Sequence, residues 1–299
     1  MKIGLIDVDG HNFPNLALMK ISSYHKSKGD NVEWCFPLCE YDIVYQSKVF
    51  DDTYSKDIDW HPRSDKIIKG GTGYGLDIKL PTEIEHVYPD YELYPELTKN
   101  TAFGYLTRGC PRNCPFCIVS QKEGRRSVKV ADLSEFWHGQ KYIKLLDPNL
   151  LACSQHLDLL NQLVQSKAEV DITQGLDARL LNPENVKLIN HLKIKNIHFA
   201  WDFIKDENQV LPGLKYYAAN AKNKPHGHFG MVYVLTNYNS TINDDLYRIY
   251  KLREMNYDPY VMVFDKPNAP KEIKDLQRWC NNKIIFGKVK RFEEYNKGV

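Results

Sequence analysis

No stretch of this 299-residue chain is apolar for long enough to cross a bilayer, so a membrane-spanning helix is excluded. The first ten residues, Met-Lys-Ile-Gly-Leu-Ile-Asp-Val-Asp-Gly, lack the long apolar core of a signal peptide and read as a short buried strand ending in acids and glycine. Cysteine is scarce and odd in number: seven residues are too few for a disulfide scaffold. Neither sign of charge dominates. The net charge of +2 falls short of the basic excess of a dedicated nucleic-acid binder, so nucleic acid is neither indicated nor excluded. A hydrophobic content of 42% with 26% charged residues then leaves an ordinary soluble globular protein, and thiols in this usage fit a reducing cytoplasm.

The cysteines that are present are concentrated. Three of them fall within eight residues, Cys110-Pro-Arg-Asn-Cys114-Pro-Phe-Cys117, with the spacing C-x3-C-x2-C. Three thiolates on one loop suit an iron–sulfur cluster. A usual 4Fe–4S site takes four cysteines, so this loop either borrows a fourth ligand or leaves one iron open to a small molecule. The plainer alternative is a structural zinc loop, but zinc sites usually show two matched Cys/His pairs, and no clean second pair follows. Cys35, Cys39, Cys153 and Cys280 read as small buried hydrophobes, although the four-residue spacing of the first two would also allow them to bind something.

Hydrophobic patterning gives an α/β protein. Residues 2–8 suit a buried parallel strand, 14–28 an amphipathic helix between Pro14 and Gly29, and 31–36, 42–46 and 66–69 further strands. The last runs into Gly70-Gly71-Thr72-Gly73-Tyr74-Gly75. This is a small Rossmann-like α/β domain over 1–76, followed by a Pro/Tyr/Glu-rich ordered linker over 77–100. From Thr101, strands at 102–106, 141–146, 170–173, 196–201, 230–235 and 260–264 alternate with helices at 133–138, 156–166, 182–192, 213–220, 242–255 and 271–281. Six such units make a partial (β/α)6 TIM-like barrel core over 101–299, with a C-terminal helix and tail. Barrel chemistry sits at the carboxyl ends of strands. Asp147 and Asn149, Gln174, Asp177 and Arg179, Trp201 and Asp202, and Asp265 fall at those ends.

The segment Gly104-Tyr-Leu-Thr-Arg-Gly-Cys-Pro-Arg-Asn-Cys-Pro-Phe-Cys117 resembles the signature loop of the radical S-adenosylmethionine (radical SAM) superfamily, in its spacing and in the aromatic Phe116 before the third cysteine. Its Thr-Arg-Gly-Cys-Pro flank is similar to the subset with an N-terminal cobalamin-binding-like or methylthiotransferase-like domain. The resemblance covers about residues 101–280, and a six-stranded partial barrel is that family's usual core. It implies a 4Fe–4S cluster on Cys110, Cys114 and Cys117, with the open iron taking the amino and carboxylate groups of S-adenosylmethionine. Reductive cleavage would then yield a 5′-deoxyadenosyl radical for hydrogen abstraction from an unidentified substrate. An electron donor such as a flavodoxin or ferredoxin is implied, and no membrane.

Cofactor contacts follow from the same resemblance. Phe116 would lie against the adenine or the cluster edge. The family usually binds the S-adenosylmethionine amine at the second strand end. Its usual Gly-Gly-Glu-type sequence is absent, but Leu-Leu-Asp147-Pro-Asn149 is closer to an Asp-Asp/Asn version, in which a carboxylate accepts from the cationic amine. Asn149 would alternatively be a helix N-cap. Arg179, beside Gln174, suits the methionine carboxylate, or else pairs with a neighbouring acid. Trp201 and Asp202 would line the cavity or touch ribose, and Asp265 would face the substrate. The basic residues Lys122, Arg125, Arg126 and Lys129 would meet phosphate or an electron donor, or form a solvated surface, as would Lys288-Val-Lys-Arg291.

Cobalamin is a separate question. The Gly70–Gly75 run would let a corrin or nucleotide approach the backbone, or would be a tight turn. Asp9-Gly10-His11 is similar to a corrinoid Asp-x-His-x-x-Gly motif but has Pro14 where that motif has glycine. Three reactions therefore compete: hydrogen abstraction, cobalamin-dependent methyl transfer, and thiolation of a nucleic-acid base. The last is disfavoured, because its relatives carry an RNA-binding C-terminal domain and extra cluster cysteines. The rival of another class is a non-catalytic iron–sulfur or zinc module acting on nucleic acid.

Overall fold

Ile3, Gly4, Leu5 and Ile6 are buried in succession, as in a parallel strand covered on both faces. They form β1 (Lys2–Asp7), one of two interior strands of a four-stranded sheet in the computed structural model, which describes residues 1–10 and 12–295. β2 (Asn31–Trp34), β3 (Ile43–Ser47) and β4 (Ile67–Gly70) complete the sheet in the order β2-β1-β3-β4, all parallel. Between β1 and β2 runs α1 (Leu16–Ser27). The Asn15 side chain caps it by accepting from the Leu18 N–H at 3.2 Å, and Gly29, at φ +81°, follows its end. Leu18 and Ile21 of α1 pack with Ile3, Leu5 and Ile84 into one buried cluster, while Ile6, Tyr41 and Val44 form another.

The chain divides into two compact units, Met1–Lys144 and Leu145–Val299. In the first, residues 77–100 are ordered by specific bonds. Thr82–Glu85 and Pro95–Thr98 are single helical turns. The Tyr91 hydroxyl donates to the Phe136 carbonyl at 2.7 Å, and that of Tyr94 to Asp7 at 2.5 Å. β5 (Thr101–Gly104) lies beside β6 (Tyr142–Leu145). The expected strand 102–106 breaks after Gly104, where a Cβ would stand 2.3 Å from the Phe136 ring. A short antiparallel pair follows, Thr107–Arg108 with Val128–Lys129. The helix expected at 133–138 is a single 3-10 turn, Leu133–Glu135.

The second unit alternates strand and helix: α2 (His156–Ser166), β7 (Glu169–Ile172), α3 (Pro183–Ile189), β8 (Lys193–Ala200), α4 (Glu207–Asn220), β9 (Met231–Thr236), α5 (Ile242–Glu254), β10 (Asp258–Val263) and α6 (Lys271–Asn281). A further short helix, α7 (Lys283–Lys288), went unrecognised in the sequence. β7 to β10 pair in chain order, each parallel to the next. One face carries Ile197, Phe199, Val232, Val234 and Val261, all fully buried. Phe199 meets Tyr217 of α4 edge to face, with ring centroids 5.0 Å apart. α4 begins six residues before the expected 213 and carries Pro212 inside it. Gly213 explains the exception: a Cβ there would stand 1.8 Å from the Ala178 carbonyl oxygen, so the helix lies directly against the turn that follows β7.

Candidate active site

The three motif cysteines sit on the connection between Thr107–Arg108 and Val128–Lys129, in the first unit, and all are half-buried. The stem of this loop is tightly built. Gly109 adopts φ +86°, and a Cβ there would lie 2.1 Å from the Arg126 carbonyl oxygen. The Cys110 N–H donates to the Gly124 carbonyl at 3.1 Å. Glu123 closes the stem, accepting from Arg108 Nη1 at 2.9 Å and from the Gly109 N–H at 3.2 Å. Asn113, at φ +49°, turns the chain between the first two cysteines, and the Cys117 N–H donates to the Cys114 carbonyl at 3.0 Å. Phe116 is half-buried on the same loop. The donor set is all thiol, which suits iron–sulfur or zinc. Among the described residues no group of three or more His, Cys, Asp or Glu is arranged to hold a single metal ion.

The second unit brings several strand-end candidates together. Asn149 Nδ2 donates to Asp177 Oδ2 at 3.3 Å, and Asp177 Oδ1 accepts from Arg179 Nε at 2.7 Å. Arg179 Nη1 reaches Asp206 Oδ2 at 3.3 Å. Arg179 is thus held by two acids, as the ion-pair alternative has it. Asn149 precedes the 3-10 turn Leu150–Ala152 but its side chain makes no capping bond there. Asp147 and Asn149 are buried, whereas Gln174 is exposed. Trp201 is fully buried and its indole N–H donates to the Phe203 carbonyl at 3.0 Å, so it is a core residue rather than a cavity wall. Asp265 lies in an exposed turn at φ +46°, where it accepts from the Asn268 amide.

Asp202, half-buried just past β8, is the most perturbed carboxyl of this set. Burial pushes it up to about 6, against the lowering pull of Arg248, Arg179 and the Leu235 N–H. Arg248 itself has no exposure. Its Nη1 donates to the Trp201 and Asp202 carbonyls at 2.8 and 2.5 Å, and its Nη2 to the Leu235 carbonyl at 2.8 Å. One guanidinium therefore fixes the chain where β8 ends and β9 is ending.

Between the buried positions of β8, β9 and β10 the alternate residues form a second, half-buried face: His198, Ala200, Met231, Tyr233 and Tyr260. His198 and Tyr233 stack with centroids 5.2 Å apart and planes 7° from parallel. The Tyr233 hydroxyl donates to the Thr173 carbonyl at 3.1 Å, and His198 Nδ1 lies 2.9 Å from that of Ile172. Sequence reasoning missed both this face and Arg248. The face was signalled by strict alternation in Ile197-His-Phe-Ala200 and Val232-Tyr-Val234, whereas a buried arginine in a helix carries no local signal.

In the first unit, the glycine run is packed on the chain itself. A Cβ at Gly71, where φ is +97°, would stand 2.3 Å from the Lys48 carbonyl oxygen, and one at Gly73 would stand 2.3 Å from that of Phe50. Asp9 accepts from the Val49 and Phe50 N–H groups across the ends of β1 and β3. His11, from the corrinoid-like motif, lies outside the described residues. Lys122 is drawn inward to the Gly75 and Ile78 carbonyls, at 3.3 and 2.7 Å, and Lys129 pairs with Asp132 at 2.6 Å. Arg125 and Arg126 are exposed.

No family model matches the chain, and no curated protein matches it in sequence. The fold is mixed α/β with parallel sheets. It is similar to the solved radical S-adenosylmethionine methyltransferase TsrM from Kitasatospora setae, with cobalamin and a 4Fe–4S cluster bound, at a TM-score of 0.59 and 10% identity. The match covers 88% of this chain and 74% of TsrM. At that identity the likeness to TsrM is one of architecture: mixed α/β with parallel sheets. Among the described residues no helix is long and apolar enough to cross a membrane.

Proposed function

We propose that the protein is a radical SAM enzyme whose cluster loop is Cys110–Cys117. The observation that carries this reading is a conjunction: three half-buried thiols at C-x3-C-x2-C spacing on one well-anchored loop, in a chain whose fold matches a radical SAM enzyme over 88% of its length. A cluster takes one thiolate per iron, so its donors need not converge on one point as those of zinc must. Such a cluster, when bound and reduced, supplies the electron that cleaves S-adenosylmethionine to a 5′-deoxyadenosyl radical. The chain's own residues hold and orient. Cys110, Cys114 and Cys117 are the cluster ligands, Phe116 covers the cluster or adenine edge, and Asp147, Asn149, Gln174 and Arg179 are the cofactor-side groups at the strand ends. The chain-order parallel pairing of β7 to β10 supports a partial barrel wall within the second unit.

A second reading, cobalamin-dependent methyl transfer, is favoured by a specific feature of the first unit. The strand order reverses between β1 and β3, and ligands of open α/β sheets bind outside the carboxyl ends of strands at such a reversal. The loops leaving β1 and β3 expose Phe13, Val49, Phe50 and Tyr54 there, at 42 to 60%. Exposed aromatics at that position suit a large, flat cofactor.

Anaerobic reconstitution with iron and sulfide, then addition of dithionite and S-adenosylmethionine, tests the first reading. The expected product is 5′-deoxyadenosine, with loss of both cluster absorbance and product in Cys114→Ala. A protein with a full cluster in Cys114→Ala, or a loaded wild type that leaves S-adenosylmethionine intact, would overturn it. Co-elution of hydroxocobalamin with the protein, lost in a Phe50→Ser, Tyr54→Ser variant, would support the second.

A further inference from the structure

Four carboxyl groups stand beyond the ends of β7, β8 and β9: Asp177, Asp202, Asp206 and Asp245. Three of them are in direct contact with a guanidinium. Asp177 and Asp206 bind Arg179, and Asp245 binds Arg248 at 2.5 Å. Asp202 differs. Arg248 donates to its backbone carbonyl, not to its carboxyl group, and the carboxyl group accepts from the Leu235 N–H. The two arginines act on that carboxyl only through space, and Asp206 opposes them. The groups facing Asp202 are thus Arg248 from α5, Arg179 from the turn after β7, Asp206 from the turn before α4 and the backbone of β9. Its main chain is locked on both sides by one buried arginine while its side chain is half-buried at a strand end.

This arrangement differs from that of a structural ion pair. A carboxylate in an Arg fork is ionised permanently and has little proton affinity. One that is fixed, partly desolvated and bound by a single backbone donor exchanges a proton readily, which is what a general acid–base needs. We propose that Asp202 is the proton-exchanging residue of the strand-end site, a catalytic group toward the substrate and not a ligand of the cofactor. In the step assigned to it, a carboxylate oxygen of Asp202 takes the proton from an N–H or O–H of the bound substrate. The bonding pair stays on the substrate heteroatom, and the proton later leaves Asp202 to water. The substrate class is therefore one with an acidic N–H or O–H beside its reacting centre. The proposal rests on the radical SAM reading only in placing a substrate at this strand end. What carries it is the geometry: a half-buried strand-end carboxyl on a main chain fixed by Arg248, with both arginines engaged elsewhere.

The test uses the full chain with aspartate labelled at the side-chain carboxyl carbon. The 13C spectrum is expected to show one aspartate titrating with a midpoint near 6, absent in Asp202→Asn and also in Asp202→Glu, which restores the carboxyl outside the labelled set. A spectrum with no aspartate titrating near 6, or one in which every signal titrating near 6 survives both substitutions, would overturn the proposal; a raised signal from buried Asp245 is common to all three proteins. A second arm measures equilibrium binding of S-adenosylmethionine to the cluster-loaded protein. Affinity in Asp202→Asn is expected within about twofold of wild type, whereas a loss of about tenfold or more would make Asp202 a cofactor ligand and overturn its assignment to the substrate. A loaded wild type that binds no S-adenosylmethionine would instead overturn the functional reading. The titration, which needs neither cluster nor cofactor, then decides the acid–base character of Asp202 by itself.

Discussion

Arg248 and Asp245 pair within α5 at 2.5 Å, Nη2 to Oδ1, with neither side chain exposed. Burial pushes each toward its neutral form, Asp245 up and Arg248 down, and their attraction opposes both. A buried ion pair holds only where the remaining donors also find partners. Here main-chain carbonyls complete the set: Trp201, Asp202 and Leu235 accept from the two terminal nitrogens and Asp244 from Nε. The pair is therefore a fastener between one helix and two strand ends, and it sets where Asp202 stands.

Removing the cation alone leaves Asp245 as an uncompensated buried charge beside main-chain carbonyls without their donor. Arg248→Met is expected to lower stability by about 3–5 kcal/mol, read from urea denaturation, and the double variant Arg248→Met, Asp245→Leu to recover most of that loss. A single variant no less stable than the double one would show that the pair holds nothing in place.

Asp202 gives a pH-dependent expectation of opposite sense to that of a salt-bridged acid. Its folded proton affinity is raised, to about 6 from the ordinary value of 3.8, so the native state binds more protons than the unfolded state between those limits. Its unfavourable contribution is absent below the lower value, grows as pH rises and is complete above the upper one. A shift of this size corresponds to about 3 kcal/mol at most. Asp202→Asn is therefore expected to raise Tm at pH 8 and to leave it unchanged at pH 4, by calorimetry in matched buffers. A gain that is the same at both values would mean the carboxyl is not desolvated.

Much of this was legible in the chain itself, and the exceptions have physical causes. The strands and most helices follow from local periodicity, and the cysteine loop from its spacing. Other features depend on partners distant in sequence. The helical turn through Pro212 is set by how closely Gly213 lies to the Ala178 carbonyl, a long-range contact. The Gly71 and Gly73 run reads equally well as a ligand loop, and only the Lys48 and Phe50 carbonyls beneath it show that the close approach is to the chain's own backbone. Trp201 and Asp202 are adjacent just past a strand end, yet one is core and the other half-buried, a difference set by the packing beyond β8 and not by local pattern. Arg248 is invisible locally, since its five acceptors come from three segments.

Gly109 controls the cysteine loop through its backbone rather than its chemistry. Its φ of +86° and the 2.1 Å separation from the Arg126 oxygen leave no room for a methyl group. Gly109→Ala should force the stem of the loop to shift, at a stability cost of about 1–3 kcal/mol, and displace Cys110 relative to the other two thiols. The expected readout is a fall in iron bound per chain after reconstitution, with far-UV circular dichroism unchanged. Full iron loading in Gly109→Ala would mean that the stem does not set the cysteine geometry.

The basic residues after the cysteine loop separate into two kinds, and the separation predicts how the protein is reduced. Lys122 and Lys129 turn inward to carbonyls and to Asp132, whereas Arg125 and Arg126 are exposed on a segment where Ile118 and Val128 are also outward, at 49 and 48% exposure. Two exposed arginines and two exposed apolar side chains on the segment that carries the thiols suit an acidic redox protein, for which complementary charge accelerates encounter more than it strengthens the complex. Arg125→Glu, Arg126→Glu is therefore expected to slow cluster reduction by reduced flavodoxin about tenfold at low ionic strength, with the difference shrinking as salt is added. Dithionite, which needs no docking surface, should reduce wild type and variant at the same rate. A variant slowed equally with both reductants would place the defect in the cluster loop itself, and one slowed with neither would remove these arginines from the path of the electron.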